Sequence, residues 1–105
     1  MGLTFQRVHE IFTKQFGLLY DTRQRGNYTL YRYYFEDRYV QSHKSEVARE
    51  VCELINGGVG GYIYVGHLPE FDVHPKRKKD GYLNIGDMTE KELIRVTEKV
   101  TREYK

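Results

Sequence analysis

The stretch that most constrains this chain is Arg49–His67, REVCELINGGVGGYIYVGH, because its apolar period changes across a set of glycines. Before the glycines, Val47, Ala48, Val51, Cys52, Leu54 and Ile55 recur at helical spacing. Asn56-Gly57-Gly58 breaks that pattern, and after Gly60-Gly61 the residues Tyr62, Ile63, Tyr64 and Val65 read as a strand. The spacing predicts a buried helix from His43 to Asn56, with Ser42 as its cap and Glu46 and Glu50 on its outer face. Val51, Leu54 and Ile55 are then core residues, the stop uses positive φ, and the strand Tyr62–Gly66 leaves a turn where Gly60-Gly61 has no room for side chains. The turn lacks the Lys-Ser/Thr of a P-loop and lies at a helix C-terminus, whose dipole repels anions. It therefore reads as structural rather than as a phosphate cradle.

The residues Val51–Asn56, Gly60-Gly61 and Tyr62–Gly66 resemble the signature of the Schlafen/AlbA-like domain family, in which a helix ending on Asn is followed by a Gly-Gly turn and an apolar strand. The resemblance implies a lobe of an RNA-processing nuclease, completed by a second, related lobe around a basic groove. It also implies carboxylates holding a divalent metal on the strand before the helix, where this chain has Glu36 and Asp37. The chain departs from the family pattern at Tyr31, where a glutamate is expected. No lysine follows Phe35-Glu36, and Gly66-His67 stands where an aspartate would close the site.

The remaining elements follow in order. Leu3–Phe16 is an amphipathic helix with Phe5, Val8, Ile11, Phe12 and Phe16 on one side, Thr4 as a cap and Gly17 as a stop; His9 falls on its polar side. Leu18–Thr22 is a short strand, and Arg25-Gly26-Asn27 a turn. Tyr28–Val40, YTLYRYYFEDRYV, is a long aromatic strand with Tyr28, Leu30, Arg32 and Tyr34 on one face and Tyr31, Tyr33 and Phe35 on the other. His67–Pro75 is irregular, Lys76–Lys79 forms a basic turn, and Tyr82–Ile85 returns as a strand. Thr89 and Glu92 make a capping box ahead of a C-terminal helix with the stripe Leu93, Val96, Val100 and Tyr104. The order α-β-β-α-β-β-α predicts an α+β fold, a small, mostly antiparallel sheet with helices on one face, in a single domain spanning 1–105.

Composition narrows the function only slightly. At 105 residues there is room for one core. No run approaches the ~18 apolar residues of a membrane span, and the N-terminus lacks a signal-peptide layout. Cys52, the single cysteine, excludes an internal disulfide and, on an apolar face, suggests a buried thiol in an intracellular compartment, cytoplasm or nucleus. A net charge of +2 is a weak field for attracting polyanions. Ten tyrosines without a tryptophan suit sheets, interfaces and nucleotide-facing surfaces alike.

Four clusters could carry chemistry. Glu36 and Asp37 are the candidate catalytic carboxylates, with Mg²⁺ or Mn²⁺ as cofactor if the domain is catalytic, since hard cations prefer oxygen. Lys76, Arg77, Lys78 and Lys79 are candidate phosphate contacts to RNA, with Tyr82 available for stacking. His67, Glu70, Asp72 and His74 have the types but not the dense spacing of a transition-metal site, so no metal is assigned there. Tyr31, Tyr33 and Phe35 are a candidate interface, because a sheet covered on one side needs only one apolar face. Two functions follow as expectations. One is a Schlafen-like RNA-binding or processing module, a subunit of an endonuclease assembly that pairs with a second lobe as a homodimer or with a related chain. The other is a non-catalytic protein-interaction or inhibitor domain using the tyrosine-rich strand.

Overall fold

A computed structural model describes residues 3–35, 46–66, 68, 70 and 81–103. Five antiparallel strands lie in chain order across one sheet: β1 (Leu19–Arg25), β2 (Tyr28–Tyr34), β3 (Glu46–Glu53), β4 (Val59–Tyr64) and β5 (Tyr82–Asn84). Helix α1 (Phe5–Glu10), continued by a π-helical turn over Ile11–Gln15, and helix α2 (Glu90–Glu103) pack against it. The α+β class with an antiparallel sheet and helices on one face is therefore as expected, but the fourth element is a strand.

Both terminal helices follow from their sequence signals. The Thr4 hydroxyl accepts from Arg7 N–H at 3.3 Å, Val8, Ile11 and Phe12 are fully buried, and Gly17 ends the element at φ +66. At the other end Thr89 Oγ1 accepts from Glu92 N–H at 3.2 Å, and Glu92 Oε1 accepts from Thr89 N–H at 3.3 Å, a reciprocal capping box. Leu93, Val96 and Val100 then face the same core as Ala48, Val51, Ile63, Val65 and Leu83. Phe12 lies 4.7 Å from Tyr33 and Phe5 4.8 Å from Tyr31, ring centre to ring centre, so α1 covers the β2 rings.

The helix expected over His43–Asn56 is corrected to strand β3 over Glu46–Glu53. Register shifts interrupt its pairing with β2 between Tyr31 and Tyr33 and between Tyr33 and Tyr34, and its pairing with β4 between Arg49 and Cys52. Each bulge inserts an unpaired residue and re-aims the side chains around it. The strand ends in a tight turn closed by Leu54 N–H on Gly58 O at 3.0 Å, with Gly57 at φ +87 and Asn56 Oδ1 accepting from Gly58 N–H. The turn therefore closes a hairpin between β3 and β4 instead of ending a helix. Val51 is in the core, whereas Leu54 is half-buried and Ile55 is 96% exposed on the turn. Gly60 and Gly61 lie inside β4 rather than before it. Only Gly61 is excluded from carrying a side chain: at φ +133 an added Cβ would sit 2.8 Å from Val51 Cα, while at Gly60 the nearest atoms are 3.4 Å away. The segment that carries the family resemblance is thus a β-hairpin, not a helix, turn and strand.

Candidate functional site

The strand register assigns side chains to two faces. Tyr20, Tyr31, Tyr33, Val51, Ala48 and Ile63 lie on the helix-covered side; Asp21, Arg32, Tyr34, Glu46, Arg49, Tyr62, Tyr64 and Tyr82 lie on the other. A pocket of 480 Å³ draws Asp21, Arg23, Leu30, Arg32, Glu46 and Arg49 from the second face, and Thr22, Tyr31 and Glu50 complete its lining.

A buried carboxylate organises one side of it. Glu46 is 4% exposed, yet it sits on a sheet face at the start of β3. Its Oε1 accepts from Arg49 Nε at 2.7 Å and from the Tyr82 hydroxyl at 3.0 Å, and the Arg49 guanidinium lies 4.6 Å over the Tyr82 ring. A buried charge is tolerable only when paired and hydrogen-bonded, and this arrangement supplies both. Burial pulls the Arg49 guanidinium down, but its hydrogen bond and charge contact with Glu46 outweigh that and raise it above the ordinary arginine value. On the other side, Arg32 donates to Asp21 Oδ2 at 2.7 Å and lies 5.8 Å from the centre of the Tyr34 ring. Arg25 donates to Glu50 Oε1 at 3.1 Å.

The bulge in β3 delivers the pocket's floor. Glu50 takes φ +54, a left-handed conformation uncommon outside glycine. Beside it, Gly61 gives the strand room to bulge: its missing Cβ would lie 3.2 Å from Glu50 O as well as against Val51. Non-glycine residues held in such conformations cluster at functional sites. The pocket residues number three arginines (23, 32, 49) and three carboxylates (21, 46, 50), so their formal charges cancel.

The predicted sites distribute differently. Tyr33 is 0% exposed, Phe12 and Phe5 of α1 and its continuation pack on Tyr33 and Tyr31, and Phe35 is partly buried against the same core, so the expectation that this trio needs a partner subunit to cover it is corrected. Tyr82 is a buried ring beneath Arg49 with its hydroxyl on Glu46, so it is not presented to a nucleobase for stacking. Glu36, Asp37, Lys76, Arg77, Lys78 and Lys79 lie outside the described residues, as do His67, Asp72 and His74. Glu70 is exposed and pairs with Lys99. Among the described residues no group of three or more His, Cys, Asp or Glu could hold a metal ion, and no helix is long and apolar enough to cross a membrane. Cys52 is buried as expected, and burial pushes its thiol above the ordinary value, away from nucleophilic use.

The position of His9 is also corrected. Instead of a solvated surface position it is half-buried among Phe5, Tyr20, Tyr31 and Tyr33, with Nδ1 2.7 Å from the Tyr33 hydroxyl. Desolvation lowers its pKa, and burial pushes the Tyr33 hydroxyl well above the ordinary phenol range. Both shifts favour the uncharged forms, and the His9 tautomer sets which of the two groups donates.

Comparison with known proteins gives no match to a family model, to a curated protein or to a solved structure.

Proposed function

We propose that this chain is a non-catalytic protein-interaction domain that binds through the face of its sheet opposite α1 and α2, at the pocket formed by β1, β2 and β3. The observation that carries this reading is the pocket's charge pattern. Arg32 and Arg49 are each held by a carboxylate, and the lining as a whole is neutral. A polyanion needs a surplus of cations to displace its counterions. A protein partner instead reads fixed charges of both signs, and arginine and tyrosine are the residues that most often anchor such contacts. Guanidiniums already fixed by Asp21 and Glu46 lose little freedom on binding.

A second reading, a Schlafen-like module that binds RNA and joins a second lobe, is supported by the glycine pattern and by the run Lys76-Arg77-Lys78-Lys79. Its metal-dependent nuclease form requires Glu36 and Asp37 with Mg²⁺ or Mn²⁺, and the departures at Tyr31 and His67 count against that form.

The two readings separate experimentally. A protein partner identified by affinity purification is titrated against wild type, against the pocket double variant Arg32→Ala/Glu50→Gly, and against a variant with glutamine at 76–79. The protein-interaction reading expects the pocket variant to lose tenfold or more in affinity and the glutamine variant to be unchanged. It also expects no tight binding of a single-stranded RNA. Salt-dependent RNA binding that is lost with the four cations and indifferent to the pocket overturns it.

A further inference from the structure

The two edges of the sheet are built differently. β5 is three residues long, which limits pairing with another chain. β1 is seven residues long, mostly exposed, and pairs only with β2 among the described residues. It contains no proline, and its pairing with β2 runs without a register shift from Leu19↔Tyr34 to Arg25↔Tyr28. It is neither shortened nor bulged, its charges are of both signs (Asp21, Arg23 and Arg25), and Leu19 and Tyr20 are 41% and 45% exposed on its two sides.

The sequence of this edge, LYDTRQR, is self-complementary when paired antiparallel with itself about Thr22. In that register Asp21 faces Arg23 of the second copy, Arg23 faces the second copy's Asp21, and Thr22 meets Thr22 at the two-fold axis. Leu19 falls opposite Arg25, whose aliphatic stem can cover it, and Tyr20 falls opposite Gln24. Opposite charges directly across a strand pair stabilise the register, while a slip by two residues sets like charges on the axis, Arg23 against Arg23 in one direction or Asp21 against Asp21 in the other. Arg23 makes no ion pair among the described residues, and Asp21 already accepts from Arg32, so the second copy would place this carboxylate between two guanidiniums. We infer that two copies of this chain join edge to edge through β1 into a continuous antiparallel sheet of both chains, with a two-fold axis at Thr22. The pairing keeps the faces opposite α1 and α2 on one side, so the two pockets, each lined by Asp21, Thr22 and Arg23, meet across the axis. The inference is independent of the reading of the pocket: a monomer could still bind a partner there, and a dimer need not.

A seven-residue edge alone buries less than the roughly 1,200–2,000 Å² of a standard interface, so association is weak and concentration-dependent. Sedimentation of the wild-type chain should show a mass rising with concentration from 12.5 kDa towards twice that value. The β1 amides should exchange hydrogen more slowly over the same range. The decisive arm mixes two charge variants, Asp21→Arg and Arg23→Asp. Each alone sets like charges across the axis and should stay monomeric, whereas the equimolar mixture restores both opposite-charge pairs and should dimerise. A wild-type chain that stays monomeric at millimolar concentration overturns the inference, as does a dimer whose β1 amides exchange unchanged. A mixture that fails to associate while the wild type does so also overturns the Thr22-centred register.

Discussion

Replacing Gly61 by alanine tests the link between the β3 bulge and the fold. The new Cβ would lie 2.8 Å from Val51 Cα and 2.9 Å from Val51 Cγ2, both closer than such contacts occur, and the first is backbone that cannot rotate away. Strand β3 must shift, or β4 must abandon φ +133. A residue forced into a glycine-only conformation costs about 1–3 kcal/mol, and overpacking a filled core adds about 1–3 kcal/mol. The smaller unfolded-state entropy of alanine returns about 0.4–1 kcal/mol. The expected net loss is about 3–4 kcal/mol, a large share of the ~5–15 kcal/mol available to a domain. Urea unfolding followed by circular dichroism reads it directly, with the slope of the transition checked for constancy. Gly60→Ala is the internal control, since its nearest neighbours at 3.4 Å are the Cys52 sulfur and a Leu54 methyl, and it should cost less than ~1 kcal/mol. Equal midpoints for the two variants, or a Gly61→Ala loss below ~1 kcal/mol, would refute the claim that this glycine exists to seat the bulge.

Three further outcomes follow from named contacts. Glu50→Gly should leave stability within ~1 kcal/mol of wild type or raise it, because a left-handed φ costs a side-chain-bearing residue about 1–2 kcal/mol, while Glu50→Ile should be clearly destabilising in the same urea assay. Arg49→Met should cost about 2 kcal/mol by removing the guanidinium paired with buried Glu46, less than the ~3–5 kcal/mol of a fully buried pair because Arg49 is partly exposed; an unchanged midpoint would show that Glu46 does not depend on it. His9 has a lowered folded pKa, so near and below its ordinary value of 6.5 the unfolded chain binds more protons than the folded one, and stability falls as pH drops through that window. Thermal melts at pH 7.5 and 5.5 should show this loss, and His9→Phe should reduce it; an undiminished loss in the variant would assign it to other groups.

Sequence and structure agree wherever a local signal acts alone. The Thr89–Glu92 box and the stripe Leu93, Val96, Val100 specify α2 without tertiary help, and the Thr4 cap with Val8, Ile11 and Phe12 does the same for α1. β3 imitates a helix in sequence for a physical reason. Its bulges break the two-residue alternation, so its buried positions fall at Val47, Ala48, Val51 and Cys52, the spacing of a helical stripe. That imitation conceals the site, because Glu46 and Glu50 read as the solvated outer face of a helix instead of a buried anchor and a pocket wall. The two glycine pairs were a usable warning, since glycine inside a strand pattern often marks a bulge in its neighbour. His9 was misplaced because helical periodicity ranks residues around α1 and cannot show that the β1 ring of Tyr20 closes over its polar side.

The proposal that the sheet face opposite α1 and α2 is the binding surface and that its ligand is a protein is tested most directly by backbone and side-chain chemical-shift mapping. The labelled domain is titrated first with its purified protein partner and then with a single-stranded RNA. The account predicts that the partner perturbs Asp21, Arg23, Leu30, Arg32, Arg49 and Glu50 and leaves Lys91, Arg95 and Arg102 on the exposed side of α2 unmoved. Perturbations confined to the helices, or a response to RNA alone centred on Lys76–Lys79, would contradict it.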